Sequence, residues 1–349
     1  METNYIVCVR NVEKDGTFGE EPGDTRYLIV PDEKIPHPEH AKPADEWFNE
    51  VIKAAWTEER IARDAPPEAL ANWPDPTGDL LLYVHGYGTG LKKMMDAQRL
   101  LRENLARAGY KGAVVTFAWP SAGSRWNYLE DRSDAVQTSL QLVKGCILPL
   151  AVRQQAGCRI NVHVFAHSTG AYVIRESFLR ADDNGPIVRT NWMVSQILLA
   201  GADISSAALS ADSEKGDSLF RHCLRLTNYY NGLDYVLSAS GAKRLGLAPR
   251  AGRVGPPQED EGSPHPKSVH VDCGDYWETL DEDHAKKVPD SVFAHSWYFG
   301  DPVFALDVVK TIKGDIDRNR IKTRIVDDGK LVLTKPSESL WAKLVGGSS

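Results

Sequence analysis

Ser168 stands where a β-rich run, "RINVHVF" (159–165), meets a run of helix formers, with Ala166 two residues before it and Gly170 two residues after. A serine hydroxyl is a weak nucleophile unless it is held exposed beside a base, and a tight strand-to-helix turn does this by pushing the side chain out of the edge of a sheet. Such a turn strains the backbone at the serine. The residues two before and two after must be small, because their atoms approach each other across the turn. The helix that begins at Thr169 aims its free N–H groups and its positive dipole end at the place where an oxyanion would develop. Upstream, "YVHGYGTG" (83–90) has three glycines in five positions, which lets the backbone curl over a site and present N–H groups. The N–H groups of Tyr87 and Thr169 are therefore the predicted oxyanion hole. The loop has neither the G-x-G-x-x-G nor the G-K-[ST] spacing of a phosphate cradle.

These residues need a scaffold that brings them to one edge. From residue 79 the sequence alternates short β-rich runs with helical ones, which predicts an α/β fold with a mostly parallel sheet and helices on both faces. The predicted strands are "DLLLYVH" (79–85), "AVVTFAW" (113–119), "RINVHVF", "MVSQILLAGAD" (193–203), "CLRLTNYY" (223–230) and "KSVHVDC" (267–273). Predicted helices cover 91–109, where apolar residues recur at helical spacing before Gly109, then 134–157 with a break near Pro149, and 170–181. Residues 1–78 form an N-terminal segment of two edge strands and an amphipathic helix (44–63) packed on the core. The core is expected to span 79–320, interrupted by a long surface loop at 241–267, rich in Gly, Pro and charge. Residues 321–349 are read as a C-terminal hairpin turning at Asp328-Gly329, followed by a tail.

With these residues in view, the chain resembles an α/β-hydrolase. It is similar in particular to a bacterial group of serine α/β-hydrolases of unassigned function that share the H-G-[YF] loop, a W-P-S-A-G segment and the elbow. Here those are His85-Gly86-Tyr87, "WPSAGSRWNYLEDRSDA" (119–135) and "AHSTG" (166–170), over roughly residues 79 to 300. The resemblance implies a triad in the chain order nucleophile, acid, base, with the acid after the second strand past the elbow and the histidine after the last strand. Counting strands gives Asp234 as the acid, Asp203 as the alternative and His295 as the base; His284 lies in a charged run and is the weaker base candidate. His85 and His167 are read as braces beside the site. His85, Gly86, Trp119, Tyr128 and Tyr87 are candidate pocket residues, although aromatic residues in that stretch serve core packing as readily.

The implied activity is cleavage of a small-molecule carboxylic ester through an acyl-enzyme, without cofactor or metal. An acyltransferase on the same triad and a non-catalytic binding protein on the same scaffold stay open. No H-E-x-x-H motif or clustered ligand set suggests a metal hydrolase. A formal net charge of -7 gives no electrostatic reason to bind nucleic acid. The five cysteines are widely spaced and mostly in apolar segments, which predicts a reducing, cytoplasmic setting. No run of 18 uncharged apolar residues is present, so stable membrane insertion is not expected. Nothing in the sequence indicates an oligomeric state.

Overall fold

The strand at the centre explains its own placement. β4 (Gly78–Val84) is buried along its whole length, with Leu80, Leu82 and Val84 in one core cluster and Leu81 and Tyr83 in the other. A strand apolar on both sides must be covered on both sides, the usual condition of a parallel strand between helical layers. A computed structural model describes residues 3–56, 78–121, 128–155, 159–238, 248–281, 283–284 and 293–346, excepting the side chains of 128–132, 155 and 343–346.

One sheet of 11 strands runs through the described residues, in the order β10-β11-β9-β8-β7-β6-β4-β5-β1-β2-β3. Besides β4 these are β1 (Thr3–Val12), β2 (Phe18–Pro31), β3 (Ala41–Lys42), β5 (Ala113–Ala118), β6 (Ile160–His167), β7 (Val194–Ala200), β8 (Cys223–Tyr230), β9 (Ser268–Asp272), β10 (Arg324–Asp327) and β11 (Lys330–Leu333). The fold is α/β, with a parallel block from β1 to β11 closed by an antiparallel strand pair at each end. Helices Ala44–Ala55, Tyr128–Leu142 and Gly170–Asp182 cover one face; Leu91–Arg107 and Pro302–Lys313 cover the other.

Several sequence expectations need correction. β1 is not an edge strand: it lies between β5 and β2, parallel to the former, and only β2 and β3 finish that side. The helix expected over 134–157 starts at Tyr128 and continues through a π turn, Val143–Ile147, into Leu148–Gln155. The break precedes Pro149 because proline lacks an N–H and crowds the carbonyl four residues back. That carbonyl, Gly145 O, instead accepts from the Tyr27 hydroxyl at 2.8 Å. The described part of the 241–267 stretch is no loose surface loop, since Arg250, Ala251 and Gly252 are buried and Pro264 bridges Ser210. Residues 241–247 lie outside the described ones.

The C-terminal hairpin turns through Asp328 (φ 44°) and Gly329 (φ 74°), both left-handed as a two-residue turn of this hand requires. Its β11 extends the sheet beside β9, and Arg324 anchors it by donating to Asp307 of helix Pro302–Lys313, which also accepts from Tyr229 Oη at 2.7 Å. One helical stretch among the described residues, Ser133–Gln154, is long and apolar enough to cross a membrane by length and composition, with mean hydropathy 1.3. In this fold 56% of the most apolar 18-residue window of that stretch is buried, and Leu142, Val143, Cys146 and Ile147 sit in the core.

Candidate active site

Sheet order sets where a site can form. β4 and β6 are neighbours, but the chain leaves β4 toward β5 and leaves β6 toward β7, on opposite sides. The loops beyond their carboxyl ends diverge and open a crevice at this switch point. The loop after β4 holds His85, Gly86 and Tyr87; the turn after β6 holds Ser168.

Ser168 has φ 57°, one of two non-glycine residues in the left-handed region among those described. That conformation costs an ordinary L-residue on the order of 1 kcal/mol, so the surroundings must enforce it. They do so through the backbone: Ser168 N–H donates to Ala200 O at 3.0 Å, and Ser168 O accepts from Asp203 N–H at 3.0 Å. Small neighbours are obligatory. A Cβ on Gly170 would lie 2.3 Å from Val84 O and 2.8 Å from His85 O, and one on Gly86 would lie 2.8 Å from Ser168 Cβ. Gly170→Ala should therefore destabilise the fold by about 3 kcal/mol, because backbone carbonyls cannot step aside. A chemical denaturation midpoint equal to that of the unsubstituted chain would contradict this.

The Ser168 hydroxyl lies 2.8 Å from His295 Nε2, and His295 Nδ1 lies 2.6 Å from Asp234 Oδ2. A carboxylate only accepts, so Nδ1 carries the proton, and Nε2 is left to accept from the serine hydroxyl. Asp234 is fully buried just after β8, and its Oδ1 accepts from Val236 N–H and Leu237 N–H at 3.0 and 3.3 Å. His295 sits in a single helical turn, Phe293–Ser296, and its carbonyl accepts from His167 Nε2 at 2.7 Å. Gly201, at φ 55°, passes beneath the imidazole, where a Cβ would come within 3.4 Å of the ring.

Asp203, the alternative acid, does not face the imidazole. Its carboxylate pairs with Arg250 Nε at 3.4 Å and lines a separate cleft of about 470 Å³ with Tyr172, Arg175 and Glu176. His284 pairs with Asp281 at 2.7 Å on the surface. Of the candidate pocket residues, Gly86 and Tyr87 line the cleft at Ser168. Trp119 and His85 do not: Trp119 is fully buried, stacked on the His85 ring at 5.3 Å, and donates to His85 O at 2.9 Å. They support the loop from beneath. Tyr128 begins helix Tyr128–Leu142, and its side chain lies outside the described residues. Sequence reading missed Tyr83, Lys93, Ala97 and Phe299, which line the cleft. The i, i+4 pair Lys93 and Ala97 following the glycine loop was the available signal.

Tyr87 follows Gly86, whose backbone rests against Ser168, and Thr169 caps the 13-residue helix Gly170–Asp182. Tyr87 thus lines the same cleft as Ser168, and Thr169 directly follows Ser168 in the chain. No group of metal-ligating side chains occurs among the described residues.

The family described as an alpha/beta hydrolase of unknown function (DUF900) matches residues 68–275. The chain belongs to that family. The match to this α/β hydrolase family includes Ser168 and Asp234 and stops before His295. Among solved structures, a cutinase-like protein from Cryptococcus sp. is similar at 15% identity and a TM-score of 0.28, over 67% of this hydrolase and 95% of that protein. RedJ, a thioesterase from Streptomyces coelicolor, aligns at 15% identity and TM-score 0.22 over 44% of this chain and 69% of its own. Esterase B from Lactobacillus rhamnosis aligns at 12% and 0.26, over 57% and 77%. No curated protein matches the hydrolase.

One group near the site makes the hydrolase's stability depend on pH. His85 is held from 6.5 down to about 3, first by burial and then by the Arg10 charge. Between those values the unfolded chain binds a proton that the folded one refuses, so stability is fully present above about 6.5 and is lost as pH falls toward 3. From pH 7 to pH 5 this histidine should remove about 2 kcal/mol. His85→Asn should flatten the measured dependence of the urea midpoint by that amount; an identical slope in both proteins would refute it.

Proposed function

We propose that the protein is a serine hydrolase of carboxylic esters acting through an acyl-enzyme. The observation that supports it is the unbroken chain of two short hydrogen bonds from the strained Ser168 through His295 to the buried Asp234. His295 Nε2 takes the hydroxyl proton as Ser168 Oγ bonds to the ester carbonyl carbon. The carbonyl π electrons move to oxygen, and the N–H groups of Tyr87 and Thr169 stabilise that oxyanion. Collapse breaks the bond to the alcohol oxygen, which receives the proton from His295 Nε2. Water then attacks the acyl-enzyme, again giving its proton to His295, and the acid leaves as Ser168 regains the proton. Asp234 orients the imidazole and stabilises its charged form.

A fluorophosphonate probe tests this directly. Ser168 should be labelled stoichiometrically, with mass spectrometry placing the adduct on the peptide that contains it, and His295→Ala should slow labelling by about 1,000-fold. Absence of an adduct on Ser168 in the folded protein would reduce the chain to a scaffold without this chemistry.

A further inference from the structure

We infer that Gly252 is a positioning residue: its main chain ties the floor beneath Ser168 and His295 to the loop that carries Asp234, and so sets the spacing of all three. This rests on the nucleophilic role proposed for Ser168. The need for a tie arises at the end of the sheet. β7 and β8 stay paired as far as Gly201 N–H, which donates to Tyr229 O at 3.2 Å; past that point their loops are joined through a third segment. Both loops serve the site. The loop after β7 runs beneath it, where Gly201 lies against the His295 ring and Asp203 N–H holds Ser168 O. The loop after β8 shapes the seat of the acid, since Asp234 N–H donates to Asn231 O at 3.0 Å and Leu233 N–H to Asn231 Oδ1 at 2.9 Å.

The joining segment is residues 249–252. It runs antiparallel to residues 202–206: Ser206 N–H donates to Pro249 O at 3.0 Å, Ala251 N–H to Ile204 O at 2.9 Å and Gly252 N–H to Ala202 O at 3.0 Å. Gly252 O then accepts from Asn231 N–H at 2.9 Å. One residue thus gives its donor to the floor and its acceptor to the acid loop, pairing buried main-chain groups that are costly to leave unpaired. Only glycine fits there. A Cβ on Gly252 would lie 2.0 Å from Ala202 N and 2.2 Å from Gly201 C, so the backbone would have to part by about 1.5 Å to reach ordinary contact. The displacement would pass through Gly201 to the imidazole and through Ala202 to Asp203, whose N–H positions Ser168. Misplacing reacting groups by about 1 Å costs about 100-fold in rate. The strap has a second anchor: the buried Asn228 of β8 donates from Nδ2 to Ala251 O at 2.8 Å and to Gly255 O at 3.4 Å.

Labelling kinetics and a pH profile test the inference. Gly252→Ala should still take a fluorophosphonate adduct on Ser168 to completion, at a rate about 100-fold lower. A loss of stability that leaves most molecules folded would barely move that rate constant. The acid limb of kcat/KM on p-nitrophenyl acetate should also shift to lower pH by about one unit, because an imidazole displaced from its carboxylate gives up a proton more readily. Asn228→Leu keeps the volume and removes both side-chain bonds to the strap; it should slow labelling by about tenfold and shift the limb in the same direction, and it carries the test if Gly252→Ala does not fold. Gly112→Ala is the control. A Cβ there would lie 2.1 Å from Asp79 O, at the amino end of β5 and so at the opposite edge of the sheet from Ser168, and it should lower the urea midpoint while leaving rate and limb unchanged. Asn228→Leu labelled at the rate of the unsubstituted chain, or equal slowing in Gly112→Ala and Gly252→Ala, would overturn the inference. Ser168 labelled at one rate in every variant would sink the positioning role alone; Ser168 unlabelled in the unsubstituted protein would sink the serine hydrolase reading with it.

Discussion

Replacing Ser168 with Ala should lower ester turnover by about 10^5-fold while leaving the fold intact. The substitution removes a single oxygen. The backbone bonds that hold the turn, from Ser168 N–H to Ala200 O and from Asp203 N–H to Ser168 O, do not involve that oxygen. Alanine meets the same left-handed φ of 57° as serine, so the strain is carried over rather than relieved. What disappears is the group 2.8 Å from His295 Nε2, and with it the covalent route. The residual rate would come from the amides of Tyr87 and Thr169 and from binding alone. The comparison is kcat on p-nitrophenyl acetate beside a urea denaturation curve. Turnover within about tenfold of the unsubstituted enzyme, with an unchanged curve, would end the assignment of Ser168 as nucleophile.

The second large effect separates two buried aspartates. Asp234→Asn should cost about 10^4-fold in kcat. Asparagine at 234 can still accept from Val236 N–H and Leu237 N–H through its oxygen, so the loop keeps its shape. The amide nitrogen then faces His295 Nδ1 as a donor and forces the ring proton onto Nε2, where it confronts the Ser168 hydroxyl and the base is lost. Asp203→Asn should act differently. Its backbone N–H continues to hold Ser168 O, but Arg250 loses its charged partner in a buried setting. The expected cost is about 3 kcal/mol of stability, with kcat falling by no more than about tenfold. If the 203 substitution hurt kcat more than the 234 substitution, the order of the two acids would have to be exchanged.

The parts of the site readable from sequence are those whose requirement is local. The left-handed φ of Ser168 belongs to a strand-to-helix turn of a few residues, so the β-rich run, the small residues and the helix formers around it can be read together; the atoms that exclude a Cβ at Gly170 and Gly86 come instead from the end of β4, the loop after it and Ser168, far away in the chain. The buried strand β4 reads as a run of apolar residues because both its faces are covered nearby. Trp119 was not readable in the same way. Its aromatic ring suits a pocket and a core equally, and the choice was made by the His85 ring on which it stacks. β1 likewise carries strand residues, but its place between β5 and β2 depends on a partner more than 100 residues along the chain.

Residue types and short spacings therefore determined the elbow, the glycine loop and the alternation of strand and helix, because propensity and local packing act over a few residues. The tertiary structure decided which distant groups meet: His295 reaches Ser168 across 127 positions and Asp234 across 61. It also decided that Asp203 turns toward Arg250 and that Lys93 and Phe299 line the cleft at Ser168. Those outcomes depend on strand order and on how side chains share space once the sheet is assembled, and no local run of residues encodes either.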